Sequence, residues 1–271
     1  MKVITIAGRV AGGTAVGVVG AFLLLPIVAL LLQVRPAKLL AELGEPAVID
    51  ALRLSIVTSA VATLFVFLLG LPVGLLLATR DFRGKRFLEA LVALPMVLPP
   101  TVAGLALLLA FGRAGLLGGA LSLLGVSIPF STLAVVIAQV FVALPFFIGA
   151  AAAGFRGVDR ALLEVAATLR ASRPYTAARV LVPLALPSLG AGAAMGWARA
   201  LGEFGATITF AGNVPGVTQT MPLAVYLRLE TDFDAAIALA LLLLAVSFGV
   251  LFALGASPFS LGRSRAAGTP R

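Results

Sequence analysis

"EVAATLRASRPYTAARVLVPLALP", residues 164–187, is an arginine-rich and proline-rich stretch in the middle of an otherwise strongly apolar chain. Around its start, apolar side chains follow the i, i+3, i+4, i+7 spacing of one helical face, at Leu162, Val165, Ala166 and Leu169. Charged side chains lie off that face, at Arg160, Glu164 and Arg170. The spacing predicts a short amphipathic helix between two apolar segments.

A second helix is predicted directly after the first. Pro174 disfavours the helical conformation at Arg173, and Ser172 is a typical capping residue for a helix that starts near Pro174 and runs toward Val182. Residues 156–183 are therefore predicted to form a loop of helix, turn and helix.

The composition surrounding this loop is that of a membrane protein. Of the 271 residues, 61% are hydrophobic and only 11% are charged, too few to cover a soluble domain. The chain contains no cysteine and no histidine, which excludes disulfides, histidine-dependent nucleophiles and cysteine or histidine metal sites. An intramembrane serine protease would then need a Ser-Lys pair, and no predicted span contains lysine. These features disfavour an enzyme, and we expect neither a cofactor nor a metal.

A helix needs about 20 apolar residues to cross the hydrocarbon core of a bilayer, and six segments meet this requirement. We therefore predict an all-α fold, with residues 1–271 forming a single transmembrane domain. The first segment is too long for a signal peptide and lacks a cleavage site, so it is expected to be a retained span. The six predicted spans are approximately residues 16–34, 54–79, 87–112, 131–153, 184–211 and 235–256.

The basic residues predict the orientation of these spans. Alternate connections and the termini hold 14 Lys and Arg residues, whereas the opposite set holds four, Arg35, Lys38, Arg113 and Arg228. The positive-inside rule then places both termini and the 156–183 loop in the cytoplasm. Because these charges lie between apolar runs, the net charge of +9 indicates a bilayer rather than nucleic acid. Asp234, in the acidic patch on the outer side, is predicted to cap the last helix.

The 156–183 loop resembles the signature loop of ABC importer permeases, whose pattern is Glu-Ala-Ala, three residues, Gly, nine residues, Ile, one residue, Leu-Pro. The spacing matches throughout, but four positions differ: Val165 for Ala, Arg170 for Gly, Val180 for Ile and Val182 for Leu. The resemblance implies a coupling helix that docks into the ATP-hydrolysing subunit. It implies this coupling role for Glu164, Ala166, Ala167, Arg170 and Pro183. A surface helix lying on anionic lipid is the alternative interpretation.

A second stretch, "ARALGEFGATITFAGNVPGVTQTMPLAVY" at residues 198–226, resembles the oxyanion permeases of this superfamily, most closely those for molybdate and tungstate. The "LGEFGA" portion is shared with sulfate and thiosulfate permeases, which remain the alternative. The resemblance implies an inner-membrane homodimer that works by alternating access. Its implied partners are two ATPase subunits and an extracytoplasmic oxyanion-binding protein. The chain itself has no GxxxxGK[ST] motif, so a partner must hydrolyse the ATP.

Arg199 and Glu203 are the strong charges within the fifth predicted span, one helical turn apart. An unpaired charge at mid-bilayer costs about 2.5 to 3.5 kcal/mol, so we expect both to be paired, with each other or with another span. A bare carboxylate would repel a dianion, and we hypothesise that Glu203 is a neutralised gate. A purely structural ion pair and an ion-coupled secondary transporter are the alternatives.

The remaining candidates are small or polar residues in the spans. A small-residue stripe predicts close helix contact, within the chain or across a homodimer, at Ser188, Gly192, Gly196 and Ala200. Hydroxyl residues are predicted either to line the anion pathway or to bond between helices, at Ser55, Thr58, Ser59, Thr63, Thr207 and Thr209. Prolines predict helix kinks at Pro95, Pro99, Pro100 and Pro145.

Overall fold

The computed structural model describes the backbone of residues 2–253 and the side chains of residues 12–252. Within that part of the chain the secondary structure is helical, without strands, which confirms the all-α prediction. The helices are α1 (Lys2–Gln33), α2 (Pro36–Leu43), α3 (Pro46–Thr79), α4 (Lys85–Val97), α5 (Pro100–Phe111), α6 (Gly118–Leu123), α7 (Thr132–Arg156), α8 (Arg160–Thr168), α9 (Arg173–Thr176), α10 (Val182–Leu201), α11 (Gly205–Phe210), α12 (Met221–Thr231) and α13 (Phe233–Ala253).

Five helical segments of the described chain are long and apolar enough to cross a membrane. They are Gly12–Gln33, Pro46–Thr79, Thr132–Arg156, Arg173–Leu201 and Phe233–Phe252. The predicted end of the sixth span, residues 254–256, lies outside the described residues.

The third predicted span is two helices rather than one. The axes of α4 and α5 differ by 116° across the break, so the pair is either a broken span or a re-entrant loop. Leu98 is extended, with φ −67° and ψ 133°, as expected for a residue that precedes a proline. Neither Pro99 nor Pro100 has an N–H to continue a helical ladder. The predicted kink is thus a full break.

The fifth predicted span has different limits. It begins at Arg173 rather than near residue 184, because the second loop helix continues into the membrane through a π-helical turn at Ala177–Leu181. In that turn the N–H of Val182 donates to the carbonyl of Ala177, and Pro183 follows directly. A wider turn of this kind relieves the clash between a proline ring and the preceding turn. The span then ends at Leu201, and residues up to 211 form the separate helix α11 and its cap.

Close backbone contacts define how the central helices run. A Cβ added to Gly70 would lie 2.6 Å from Phe147, and one added to Gly74 would lie 2.8 Å from Ala151, so α3 and α7 run in parallel. A Cβ on Gly154 would lie 2.5 Å from that of Ser188, and a Cβ on Gly192 would lie 2.7 Å from that of Ala150, so α10 runs antiparallel to α7. These three helices enclose a buried core.

The small-residue stripe of α10 faces α7 within the same chain. A Cβ on Gly192 would lie 2.7 Å from that of Ala150, Gly196 approaches Val66 and Phe147, and Ala200 is completely buried. The sequence left open a contact within the chain or across a homodimer, and in the structure the stripe contacts α7 of the same chain.

We predict that Gly192→Ala destabilises the protein by about 1 to 3 kcal/mol, because the added methyl group overpacks the contact with Ala150. Gly190→Ala is the matched control, since a Cβ there meets nothing within 4 Å and alanine favours the helix. The midpoints of thermal unfolding of the two variants in detergent check this prediction. Equal midpoints would contradict it.

Ion pairs join α2 to the connection between α12 and α13. Lys38 lies 2.7 Å from Asp232 and 3.3 Å from Glu42, and Arg35 lies 2.8 Å from Asp234. Hydrogen bonding to Asp232 raises the pKa of Lys38, and Lys38 lowers the pKa of Asp232. The side chain that caps α13 is Asp232, which accepts from the Ala235 N–H at 3.0 Å. The predicted cap at Asp234 is therefore wrong, because α13 begins at Phe233 and Asp234 lies within its first turn, paired with Arg35.

Candidate transport and coupling sites

Helix α8, in the middle of the 156–183 loop, begins at a side-chain cap. Asp159 Oδ1 accepts a hydrogen bond from the Ala161 N–H at 3.0 Å. Ala166 is buried against the rest of the chain, whereas the other members of the predicted apolar face are exposed, namely Leu162, Val165 and Leu169. An apolar helix face is thus available on the surface of this chain.

The helix ends in a Schellman motif centred on Arg170. Its φ of 56° lies in the left-handed region, the Arg170 N–H donates to Ala167 O at 2.9 Å, and the Ala171 N–H donates to Ala166 O at 3.0 Å. The signature pattern has glycine at this position, and the chain adopts the same kind of turn with arginine. After the turn, Ser172 precedes α9, but its hydroxyl makes no capping hydrogen bond.

We predict that Arg170→Gly stabilises the protein by about 1 kcal/mol, because glycine adopts a left-handed conformation without the penalty of a Cβ. Thermal unfolding in detergent measures the change. Arg173→Gly is the matched control: Arg173 is the first residue of helical α9, so glycine there should destabilise. Stabilisation by both substitutions would contradict the explanation.

A cleft of about 930 Å³ separates the loop from the end of α3. Ala167, Arg173 and Pro174 line one side, and Thr79 and Arg80 line the other. Glu164 borders a smaller cavity of about 400 Å³. Its side chain is exposed and makes no ion pair in the part of the chain that the structure describes. Pro183 is exposed at the start of α10. The structure therefore leaves Glu164 free to meet another molecule.

Arg199 and Glu203 form an ion pair at the C-terminal end of α10. Arg199 Nη1 lies 2.6 Å from Glu203 Oε2, with the Glu203 side chain 1% exposed and that of Arg199 31% exposed. The helix has already ended at Leu201, so Glu203 lies in the break before α11. There its Oε1 accepts from the Ala206 N–H at 2.8 Å. Glu203 thus neutralises Arg199 and caps α11 with the same carboxylate.

The hydroxyl candidates divide by their partners. Ser55 joins two elements, because its Oγ accepts from the Met221 N–H of α12 at 2.7 Å. Thr207 is fully buried without a hydrogen-bond partner in the described structure. The others donate to carbonyls of their own helices, namely Thr58, Ser59, Thr63 and Thr209.

Several buried polar residues were not singled out from the sequence. Gln139 and Thr220 are both 0% exposed, and neither side chain has a hydrogen-bond partner among the described residues. Thr218 and Gln219 are buried beside Thr220. An isolated glutamine in an apolar span is a signal that sequence reasoning could have used for Gln139. No cluster of three histidine, cysteine or acidic residues that could hold a metal occurs within residues 12–252.

Solved structures with a similar fold are importer complexes. One is a bacterial ABC transporter involved in the import of the acidic polysaccharide alginate, with a TM-score of 0.76, 16% identity and coverage of 94% of this chain and 96% of that chain. Another is the MetNI methionine ABC transporter in an inward-facing conformation, with a TM-score of 0.62, 21% identity and coverage of 77% and 93%. At these identities the likeness concerns the fold.

Curated relatives are more similar in sequence. The molybdenum transport system permease protein ModB of Mycobacterium tuberculosis is 47% identical over 236 residues, covering 87% of this chain and 89% of that protein. ModB of Escherichia coli is 36% identical, covering 74% and 89%. A probable sulfate transport system permease protein of Zygnema circumcarinatum is 35% identical, covering 84% and 81%.

The family model of the binding-protein-dependent transport system inner membrane component matches residues 70–257. That range contains the 156–183 loop and the Arg199–Glu203 pair. It covers more than half of the chain, and the curated relatives extend the similarity further toward the N-terminus. This chain is a multi-pass membrane permease that belongs to the family of binding-protein-dependent transport system inner membrane components.

Proposed function

We propose that this chain is the permease subunit of an ATP-driven importer of molybdate and the chemically similar tungstate. The assignment of molybdate as the substrate rests on the 47% identity to the mycobacterial molybdenum permease over 87% of the chain. The interior is compatible with such an anion. Its polar groups are mostly neutral hydroxyls and amides, and Arg199 neutralises Glu203. Neutral donors pass an anion without trapping it.

A pair of ATPase subunits supplies the energy in this proposal. Each ATPase subunit docks on α8 of one permease copy. There the exposed face of Leu162, Val165 and Leu169 offers an apolar contact, and Glu164 offers an unpaired carboxylate. The exposed Ala167 lets the partner approach closely, whereas Ala166 anchors α8 on the rest of the chain. Through α9 and the π-helical turn, a movement of α8 reaches the transmembrane helix α10 directly.

The complete transporter is a homodimer fed by an extracytoplasmic oxyanion-binding protein. It lies in the inner membrane with both termini and α8 in the cytoplasm, as the distribution of Lys and Arg favours. ATP binding closes the ATPase pair and opens the pathway outward, and hydrolysis resets it. In this mechanism the gate is the break between α10 and α11 that contains Glu203. The hydroxyls that line the pathway are those of Ser55, Thr58, Ser59, Thr207 and Thr209.

Sulfate is the second candidate substrate. It is favoured by the 35% identity to the probable sulfate permease of Zygnema, and sulfate is also a tetrahedral dianion. An ion-coupled transporter has less support, because the buried carboxylate of Glu203 is already engaged by Arg199 and by the Ala206 N–H.

The binding protein and ATPase from the same organism, reconstituted with this chain in proteoliposomes, test the proposal. We expect the ATPase rate to rise severalfold when the binding protein is loaded with molybdate and to stay near the basal rate when it is empty. Parallel samples contain tungstate or sulfate. Stimulation by sulfate alone would transfer the assignment to a sulfate importer, and equal rates in all samples would contradict the proposal.

A further inference from the structure

Helix α12 begins inside the membrane domain rather than at its surface. Its first residue, Met221, is bonded to Ser55, which lies nine residues, or about 13 Å, along α3 from Pro46. At its other end Arg228 pairs with Glu45 at 3.2 Å, next to the start of α3. The N-terminus of α12 therefore points into the transmembrane domain.

The segment before α12 is irregular and yet buried. Thr218 and Thr220 are 0% exposed and Gln219 is 5% exposed. Non-helical backbone at membrane depth is tolerated where it is enclosed by protein or lines a pathway. Besides backbone hydrogen bonds to Val214 O, two hydrogen bonds of threonine side chains hold the segment: Thr132 Oγ1 donates to Val217 O at 2.8 Å, and Thr218 Oγ1 accepts from the Val214 N–H at 2.8 Å.

Thr220, the last residue of this segment, has a buried hydroxyl that takes part in none of these hydrogen bonds. It occupies the N-cap position of α12, but its hydroxyl accepts no hydrogen bond from the helix and has no partner among the described residues. A buried hydroxyl without a partner is costly, and it lies at the positive end of an 11-residue helix. Pro222, at the second position of the helix, has no N–H, so the hydroxyl is one of few donors there.

We propose that the N-terminus of α12, with the Thr220 hydroxyl as its side-chain donor, is a transient binding site for a tetrahedral oxyanion dianion on its way through the membrane. The helix end supplies partial positive charge without an arginine, which suits an anion that must also be released. The site is closed in this conformation, and separation of α12 from α3 at the Ser55–Met221 bond opens it. The inference rests on the proposed function and adds to it the place where the anion binds.

The test replaces the hydroxyl by a methyl group of the same shape. In proteoliposomes with saturating molybdate-loaded binding protein, Thr220→Val is expected to lower the maximal molybdate uptake rate about tenfold, because a hydrogen bond to a charged group is lost. The stimulated ATPase rate should stay within about twofold of wild type. The midpoint of thermal unfolding should be equal or higher, because the substitution removes an unpartnered buried hydroxyl.

Two further variants complete the experiment. Thr220→Ser keeps the hydroxyl and should keep uptake. Thr231→Val makes the same change at the exposed C-terminal end of α12 and should have no effect. Normal uptake by Thr220→Val would overturn the site. So would a lower unfolding midpoint with uptake and ATPase reduced together, since that pattern indicates a structural hydroxyl.

The wild-type protein separates this inference from the proposed function. If wild type carries sulfate but not molybdate, the same variants are measured with sulfate, because the site is predicted for the shared tetrahedral dianion. If wild type carries neither anion, the proposed function fails and the site fails with it.

Discussion

Replacing Glu164 by alanine is expected to reduce ATP-driven uptake at least tenfold and to abolish stimulation of the ATPase by the loaded binding protein. Glu164 is exposed on α8 and has no ion pair in the described part of the chain, so its loss leaves the fold of the permease unchanged. What disappears is the proposed charged contact to the ATPase. Proteoliposome uptake and ATPase assays measure the effect, and thermal unfolding should show no change.

Thr168→Ala is the matched control for this variant. Thr168 is exposed on the same helix, and its hydroxyl donates to Val165 O of that helix at 2.8 Å. We expect normal coupling in this variant. If Glu164→Ala also couples normally, α8 is not an ATPase contact through this residue. Normal coupling of Glu164→Ala together with a dependence of the wild type on anionic lipid would favour a helix lying on the membrane surface.

Replacing Arg199 by leucine is expected to destabilise the protein by about 3 kcal/mol. The substitution leaves the Glu203 carboxylate, which is 1% exposed, without its counter-ion in a buried position. The value lies at the low end of the range for such pairs, because the Arg199 side chain is 31% exposed. Thermal unfolding in detergent and the yield of folded protein measure the loss.

The double variant Arg199→Leu with Glu203→Gln separates charge from capping. The glutamine oxygen can still accept from the Ala206 N–H, so the cap of α11 remains while the buried charge is gone. We expect most of the lost stability to return. Restored stability with defective uptake would support a gate at this break, whereas restored stability with normal uptake would leave a structural ion pair. Continued instability would contradict the electrostatic explanation.

The sequence predicted best those features that depend on composition. Long apolar runs predicted the spans that the structure contains, because crossing the hydrocarbon core demands them whatever the tertiary packing. The spacing of Leu162, Val165 and Leu169 likewise predicted α8. The left-handed turn at Arg170 was not predicted, because nothing in an arginine side chain indicates a positive φ.

Features that depend on packing were predicted poorly. Pro99 and Pro100 indicated a kink, but the 116° turn goes with the close packing of α5 on α11, where a Cβ on Gly104 would lie 2.7 Å from Ala206 O. The entry of α9 into α10 was missed because a proline usually ends a helix, and the π-helical turn before Pro183 accommodates it. Thr220 was missed because its hydroxyl is notable only for being buried without a hydrogen-bond partner among the described residues, which the sequence does not reveal.

Uptake of labelled molybdate is measured in proteoliposomes that contain this chain with the proposed binding protein and ATPase from the same organism. We predict uptake that requires ATP inside the vesicles, persists in excess sulfate and collapses in Glu164→Ala. Uptake abolished by sulfate would move the protein to the sulfate permeases. Uptake driven by an ion gradient without ATP would contradict the importer mechanism.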